Sequence, residues 1–287
     1  MNCRTDLAIE RNEILKEQDS FAVDEETFSK NGVKITRIII RDDETAKRFS
    51  KPIGTYITAE VEPFSHNAEL FDGRLEVIAD EIASLLPKRG LVLVAGLGNS
   101  DITPDALGPR CADLLLATRH IDAELAKSIG FDNLRPVAAV VPGVLGKTGV
   151  ETGEIICGIA KSIMPSAVIT VDALAARSLS RLGKTIQITN TGVSPGSGVG
   201  NARKGIDKSL LGVDVISIGV PTVVDAKTLV KDVATDSAEF SPAIDGTVVT
   251  PSEIDILIER AAKLIAMAIN HALQPEISCE DILSLVT

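Results

Sequence analysis

The stretch Leu91-Val-Leu-Val-Ala95, followed directly by Gly96-Leu-Gly98, decides the fold of this chain. Five consecutive apolar residues of this kind are typical of a strand that is buried on both faces of a sheet. Similar apolar runs occur at Pro136–Val141, Ala167–Val171 and Val213–Val220. The sequence therefore predicts at least four short strands in the interior of one sheet.

Helical patterns lie between some of these runs, notably over Pro109–Leu125 and Gly153–Met164. Strands and helices that alternate at this spacing form right-handed crossovers and a mainly parallel sheet. A long helix follows, with Thr250 as its expected N-cap and Pro275 just past its end. The pattern predicts an α/β fold, a three-layer α/β/α sandwich.

Residues 1–72 are more polar than the rest of the chain. Two runs, Val33–Ile40 and Gly54–Val61, show the partial alternation that half-buried strands need. The acid-rich segment 10–30 has no clean periodicity and predicts a loop, and Arg41–Ser50 predicts an exposed connection. We therefore expect a β-containing N-terminal region over 1–72 and an α/β domain over 73–287.

The composition argues against several classes of function. The 287 residues include 29 Lys+Arg against 40 Asp+Glu, a net charge of −11, and only 3% are aromatic. Such a chain offers neither a basic surface for phosphates nor aromatic side chains for stacking bases, so we expect no direct nucleic-acid partner. No apolar run approaches the length that spans a bilayer, which predicts no membrane association. The four scattered cysteines are typical of reduced thiols in a cytoplasm.

Two glycine motifs resemble nucleotide-binding loops but fail in detail. The Gly96-Leu-Gly98 pair lacks its third glycine, because Asp101 stands at that position. The Gly146-Lys-Thr148 segment lacks the leading glycine of a phosphate-binding loop, since residue 141 is valine. A non-catalytic nucleotide- or ligand-binding α/β protein stays open only as an alternative.

Three carboxylates, Asp105, Asp172 and Asp225, follow predicted strands or their loops. In open α/β sheets, ligands bind beyond the carboxyl ends of the strands. When two such acids lie close together, one stays protonated while the other ionises and activates water. The alternatives are structural, because Asp105 suits a turn or helix start and Asp172 suits the cap of a helix beginning at Ala173.

At these residues the chain resembles the germination proteases of spore-forming bacteria, endopeptidases that degrade small acid-soluble spore proteins. The similar segments extend over almost the whole chain. They are Arg4-Thr-Asp-Leu-Ala8, Gly96-Leu-Gly-Asn99, Thr103-Pro-Asp-Ala-Leu-Gly-Pro109, Pro142-Gly-Val144, Asp172-Ala-Leu-Ala-Ala-Arg-Ser178, Pro195-Gly-Ser-Gly-Val-Gly-Asn201, Gly219-Val-Pro-Thr-Val-Val-Asp225 and Val249-Thr-Pro-Ser-Glu-Ile-Asp255. Several of these strings are long enough to be highly specific.

The resemblance implies an atypical aspartic endopeptidase that forms a homotetramer in the cytoplasm of the forespore and spore core. It places the two catalytic acids at Asp105 and Asp172, and we expect no cofactor and no metal there. It also implies a zymogen that removes its own N-terminus, with a pro-segment within 1–72 and the catalytic domain over 73–287. Cleavage is expected between Asp6 and Leu7, an acid followed by an apolar residue. The implied fold is similar to that of hydrogenase-maturation peptidases.

We expect Asp172 to be the protonated acid, since it directly follows a buried strand, and Asp105 to ionise more easily. Arg177, Lys147 and Arg203 are candidate substrate-binding residues, since cations can hold the acidic residue before the cleaved bond. The runner-up is a metal-assisted peptidase in which Asp105, Asp172 and perhaps Asp225 hold a divalent ion. No histidine follows any of the four strands, which argues against zinc or nickel.

Overall fold

The computed structural model describes residues 5–18, 23–128, 130–131, 133–196, 204–233, 244 and 246–286. The strands are β1 Asp24–Lys30, β2 Val33–Ile40, β3 Gly54–Glu60, β4 Val92–Gly96, β5 Val137–Val140, β6 Ala167–Ala176, β7 Thr185–Thr189, β8 Asp214–Asp225 and β9 Val248–Val249. The helices are α1 Ala8–Gln18, α2 Asp43–Phe49, α3 Arg74–Leu85, α4 Leu107–Asp113, α5 Ala123–Ser128, α6 Leu145–Thr148, α7 Thr152–Ile163, α8 Lys208–Leu211, α9 Ala226–Val233, α10 Ile254–Leu273 and α11 Cys279–Val286. Two 3₁₀ turns lie at Thr103–Asp105 and Leu179–Arg181.

All of these strands belong to one sheet, in the order β1-β2-β3-β7-β8-β6-β4-β5, with β9 paired to β8. The strands β8, β6, β4 and β5 are mutually parallel. On the other side of β8 the sheet continues through antiparallel pairs to β7, β3, β2 and β1. The predicted α/β sheet with a parallel centre is therefore confirmed, and the N-terminal strands extend that same sheet.

Alternate residues of the central strands face two separate apolar layers. In β4, Val92 and Val94 pack with the helices α3, α4 and α10, whereas Leu93 and Ala95 pack with α7. Each fully buried aliphatic side chain of this size contributes about 1.5–3 kcal/mol. The run of apolar residues is thus explained by burial on both faces, and the predicted three layers are confirmed.

Two central strands are longer than predicted. β6 continues past Val171 to Ala176, and β8 continues past Val220 to Asp225, because the two extensions pair with each other. Asp172 therefore lies inside a strand, so its predicted position at a strand end was wrong. Its alternative role as the cap of a helix was wrong for the same reason.

The predicted helix over Pro109–Leu125 was wrong in its extent. Helix α4 ends at Asp113, and the chain after it runs along the outer edge of β5 before α5 begins. The backbone N–H groups of Thr118 and Arg119 both donate to the carbonyl oxygen of Val137, at 2.9 Å. Those backbone contacts replace helical hydrogen bonds. The helix predicted over Gly153–Met164 is confirmed as α7, within one residue at each end.

The N-terminal region is more ordered than its sequence suggests. The predicted loop over residues 10–30 was wrong, since it contains most of α1 and the whole of β1. Helix α1 buries the polar residues Glu10 and Asn12, so it lacks the apolar periodicity that identifies helices. The predicted exposed connection Arg41–Ser50 also contains a helix, α2, which buries Phe49. The predicted boundary between residues 72 and 73 stays a prediction.

Two further differences concern β7 and the long helix. Strand β7 was not predicted, although its sequence Thr-Ile-Gln-Ile-Thr alternates as a strand should. The long helix α10 is confirmed, but Glu253 is its N-cap rather than Thr250. The hydroxyl group of Thr250 instead donates to the carbonyl oxygen of Thr222, at 2.9 Å. No helix in the described part of the chain has both the length and the apolar character needed to span a bilayer.

Replacing Gly108 by alanine should destabilise the fold, because α4 approaches the end of β4 too closely for a side chain. A β-carbon at Gly108 would overlap backbone atoms of Leu97 and the carbonyl oxygen of Val171. We expect the free energy of unfolding in urea to fall by more than about 2 kcal/mol. Gly158→Ala is the matched control, since open space surrounds that position in α7, and it should gain about 0.5–1 kcal/mol. Equal urea midpoints of unfolding for Gly108→Ala and Gly158→Ala would contradict this explanation.

Candidate active site

A cavity of about 640 Å³ opens beside the carboxyl end of β4 and the distal half of β6. Both predicted catalytic acids, Asp105 and Asp172, line it, although they are distant in the sequence. Asp6, Lys51 and Gln187 line the same cavity. The structure therefore brings together two acids, a lysine, an amide and the N-terminal segment of the chain itself.

Asp105 ends a 3₁₀ turn that the preceding glycine loop holds closely. The backbone N–H of Asn99 donates to Asp105 Oδ2 at 2.8 Å. Gly98 has a φ of +111°, and a β-carbon there would overlap the carbonyl oxygen of Asp105. The glycines that resemble a dinucleotide motif thus allow the loop to close around a carboxylate.

Asp172 is almost completely buried, with 7% of its surface exposed. Its Oδ1 accepts a hydrogen bond from the backbone N–H of Ala173 at 2.9 Å. Burial raises the pKa of Asp172 well above its ordinary value, and the negative charges of Asp105 and Asp6 raise it further. Such an environment favours a protonated carboxyl group beside an ionised one.

A β-bulge helps to hold the two acids together. The register between β6 and β8 shifts after Leu174, which leaves Thr222 as the extra residue. The buried hydroxyl group of Thr222 donates to the carbonyl oxygen of Pro104 at 2.8 Å, next to Asp105. Sequence reasoning missed this residue, but a signal was present, because Pro221 within a central strand is typical of a bulge.

Of the predicted cleavage site, Asp6 lines the cavity that also contains the two acids. The backbone N–H of Asp6 donates to the carbonyl oxygen of Ala175 at 2.9 Å. The backbone N–H of Ala175 in turn donates to Asp6 Oδ2, also at 2.9 Å. Leu7 is fully buried in an apolar pocket, which includes Leu174, Ala176, Leu182 and Val224. Asp6 is thus bound by the backbone of β6, and Leu7 is bound by apolar side chains of β6 and of neighbouring elements.

Two side chains that sequence reasoning missed contact the backbone at the predicted cleavage site. The carbonyl oxygen of Asp6 accepts hydrogen bonds from Lys51 Nζ at 2.7 Å and from Gln187 Nε2 at 3.0 Å. The Oε1 atom of the same glutamine accepts from the backbone N–H of Ala8 at 2.7 Å. Neither residue belongs to a recognisable motif, so the sequence alone carried no signal for them.

The three predicted substrate-binding cations are placed differently. Lys147 forms an ion pair with Asp101 on the surface. The backbone N–H of Arg177 donates to Glu10 Oε2 at 2.8 Å. Neither Lys147 nor Arg177 is among the described residues that line the cavity, and Arg203 lies outside the described residues. Substrate binding by these three residues therefore stays a prediction.

Asp225 is not among the described residues that line the cavity with Asp105 and Asp172. Its Oδ2 accepts from the backbone N–H and from the hydroxyl group of Thr228, both at 3.0 Å, at the start of α9. Across the described residues, no three His, Cys, Asp or Glu side chains are grouped as metal ligands would be. The geometry therefore gives Asp225 a helix-capping role.

Comparison with known proteins gives consistent matches. The family model described as germination protease matches residues 4–240. A germination protease of Clostridium perfringens is 41% identical over 319 aligned positions, which cover 98% of each chain. Another, of Caldanaerobacter subterraneus, is 43% identical over 309 positions, covering 96% of this chain and 95% of that protein. The solved structure of a NiFe hydrogenase maturation protease, HycI of Thermococcus kodakarensis, is 19% identical in sequence, with a TM-score of 0.37. That alignment covers 66% of this chain and 98% of the HycI chain. The family model and the two sequence matches show that this chain is a peptidase and belongs to the germination protease family.

Proposed function

We propose that this chain is the endopeptidase that begins the degradation of small acid-soluble spore proteins during germination, and that Asp105 and Asp172 activate the attacking water. The observation that carries the proposal is the shared cavity, in which a buried carboxyl group lies near a second acid. The forespore and spore core are the proposed location, and a homotetramer is the proposed assembly.

The two acids have complementary roles in this mechanism. Asp105, as the ionised member, accepts a proton from a water molecule that attacks the peptide carbonyl carbon. Asp172, whose pKa is raised by burial and by neighbouring negative charge, holds the proton that the leaving nitrogen needs. The reaction consumes one water and leaves a new carboxyl group and a new amino group.

The N-terminal segment supports an additional step, processing of the chain by itself. Asp6 lines the cavity, and the bond that follows it leads into the buried Leu7. An uncut segment in this position occupies the place of a substrate. We therefore infer that the full-length chain is a zymogen and that cleavage after Asp6 opens the cavity to other proteins.

Replacing either acid by its amide should abolish most of the activity. Asp105→Asn and Asp172→Asn should each lower the rate of cleavage of a small acid-soluble spore protein by about 10²–10⁴-fold, since each loses a proton-transfer group. Cleavage is followed by intact mass, with and without a chelator. Asp113→Asn, at an exposed position of α4, is the control and should retain the full rate. Near-normal activity in Asp172→Asn, or activity that a chelator removes and metal restores, would contradict the mechanism.

Asp172→Asn should also stabilise the fold at neutral pH. The raised pKa means that, as pH increases, the unfolded chain loses this proton first, near the ordinary value of 3.8. Between that pH and the raised pKa of the folded state, the aspartate therefore lowers the free energy of unfolding by about 1.4 kcal/mol for each pH unit. Asparagine does not titrate and has no such effect. We expect the unfolding midpoint of the variant to exceed that of the native chain at about pH 7 and the difference to shrink at about pH 3. A difference that is independent of pH would argue against a raised pKa.

Self-processing should depend on the apolar pocket that receives Leu7. Leu7→Asp places a charge among buried aliphatic side chains and should slow the appearance of the shortened chain by more than about tenfold. Leu7→Met, which keeps the apolar volume, should be processed at nearly the native rate. The N-terminal sequence of the product gives the cleavage position, and a native product that does not begin at Leu7 would refute the assignment.

A further inference from the structure

The carbonyl oxygen of Asp6 is bound by two side-chain donors from separate parts of the fold. Lys51 Nζ lies 2.7 Å away and Gln187 Nε2 lies 3.0 Å away. This carbonyl group belongs to the peptide bond between Asp6 and Leu7. Two donors that converge on one peptide oxygen beside a pair of acids are the arrangement needed to stabilise charge on that oxygen.

Local structure fixes the position of Lys51. Helix α2 ends at Phe49, and its C-cap Ser50, with a φ of +52°, turns the chain toward the cavity. The backbone N–H of Lys51 then donates to the carbonyl oxygen of Ala46 at 3.1 Å. Burial lowers the pKa of Lys51, and the positive charge of Arg11 adds to that shift, whereas Asp6 and Glu10 oppose it. The side-chain nitrogen is thus partly buried and directed at the carbonyl oxygen of Asp6.

Gln187 is fixed more rigidly, because it lies in β7 between β3 and β8. It is 7% exposed. Its Nε2 donates to the oxygen of Asp6, while its Oε1 accepts from the N–H of Ala8 at 2.7 Å. One amide group thus holds the backbone on both sides of Leu7.

We propose that Lys51 and Gln187 are further catalytic residues, which bind the carbonyl oxygen of the bond to be cut and stabilise the negative charge that develops there. The inference rests on the proposed function, since it takes Asp6–Leu7 as a bond that the chain hydrolyses. It extends to other substrates, whose residue before the cut would present its carbonyl oxygen to the same two donors.

The chemical step is balanced with these groups. The water oxygen bonds to the carbonyl carbon of Asp6 and gives a proton to Asp105, while the carbonyl π electrons move onto the oxygen held by Lys51 and Gln187. The electrons on that oxygen then re-form the carbonyl group as the carbon–nitrogen bond breaks and Asp172 gives its proton to the nitrogen of Leu7. Asp105 is left protonated and Asp172 ionised, and transfer of a proton between them restores the starting state. A preorganised donor on such an oxygen contributes about 10²–10³-fold to the rate.

The test measures processing of the full-length chain, as the first-order rate at which intact mass converts to the form that begins at Leu7. Lys51→Met should lower this rate by about 10²–10³-fold. Gln187→Glu should lower it by at least about tenfold, because the carboxylate still accepts from Ala8 but cannot donate to Asp6. Lys47→Met is the matched control, an exposed lysine on α2, and it should process at the native rate.

A chemical rescue removes the ambiguity of a variant that folds poorly. The Lys51→Cys chain should be processed slowly. Alkylation of its thiol with 2-bromoethylamine rebuilds an ammonium side chain of similar length and should raise the processing rate by at least about tenfold. The native chain and Lys47→Cys, alkylated in the same way, correct for reaction at the natural cysteines. Thermal unfolding of each variant shows whether a loss of rate follows a loss of fold.

The outcomes separate this inference from the function on which it rests. If the native chain is cut after Asp6 and Asp172→Asn is not, but Lys51→Met and Gln187→Glu are cut within about threefold of the native rate, the role of the two donors is overturned and the proposed function stands. Failure of alkylation to restore a folded Lys51→Cys chain also overturns the role of the lysine. A native chain that is never cut after Asp6 overturns both proposals.

Discussion

The interaction on which this structure depends is the placement of two carboxyl groups, one of them buried, in the same cavity. Burying Asp172 near Asp105 is unfavourable by itself, and it persists only because the surrounding fold is closely packed. The glycine at residue 98 lets the loop close on Asp105, the glycine at 108 lets α4 approach β4, and the bulge at Thr222 holds the turn in place. The parallel centre of the sheet supplies the rigid base for all three.

The N-terminal segment contacts that fold along β6. It runs beside β6 with its acidic side chain on the N–H of Ala175 and with Leu7 in an apolar pocket. In the proposed mechanism, the same cavity would place the bond between an acid and a following apolar residue at the two carboxyl groups. A substitution in β6 would then alter substrate binding and hydrolysis together.

Much of the fold could be predicted because its strongest signals are local. The apolar runs identified β4, β5, β6 and β8, and the carboxylates that follow them pointed to Asp105 and Asp172. Helix α1 escaped prediction because its buried face includes two polar residues: Glu10, which accepts from the backbone N–H of Arg177, and Asn12, whose amide nitrogen donates to Glu25. The convergence of Lys51 and Gln187 on one oxygen is likewise a product of tertiary structure, since neither residue has a local partner that would reveal its role.

The two edge strands of the sheet are each protected from pairing with a strand of another molecule. Strand β1, at one end, carries Asp24, Glu25, Glu26 and Lys30 on an exposed edge. Strand β5, at the other end, is partly covered by the chain at Thr118 and Arg119. Charged or covered edges resist the addition of a strand from another molecule. Neither edge strand therefore offers an uncharged, uncovered row of backbone groups to a strand of another molecule.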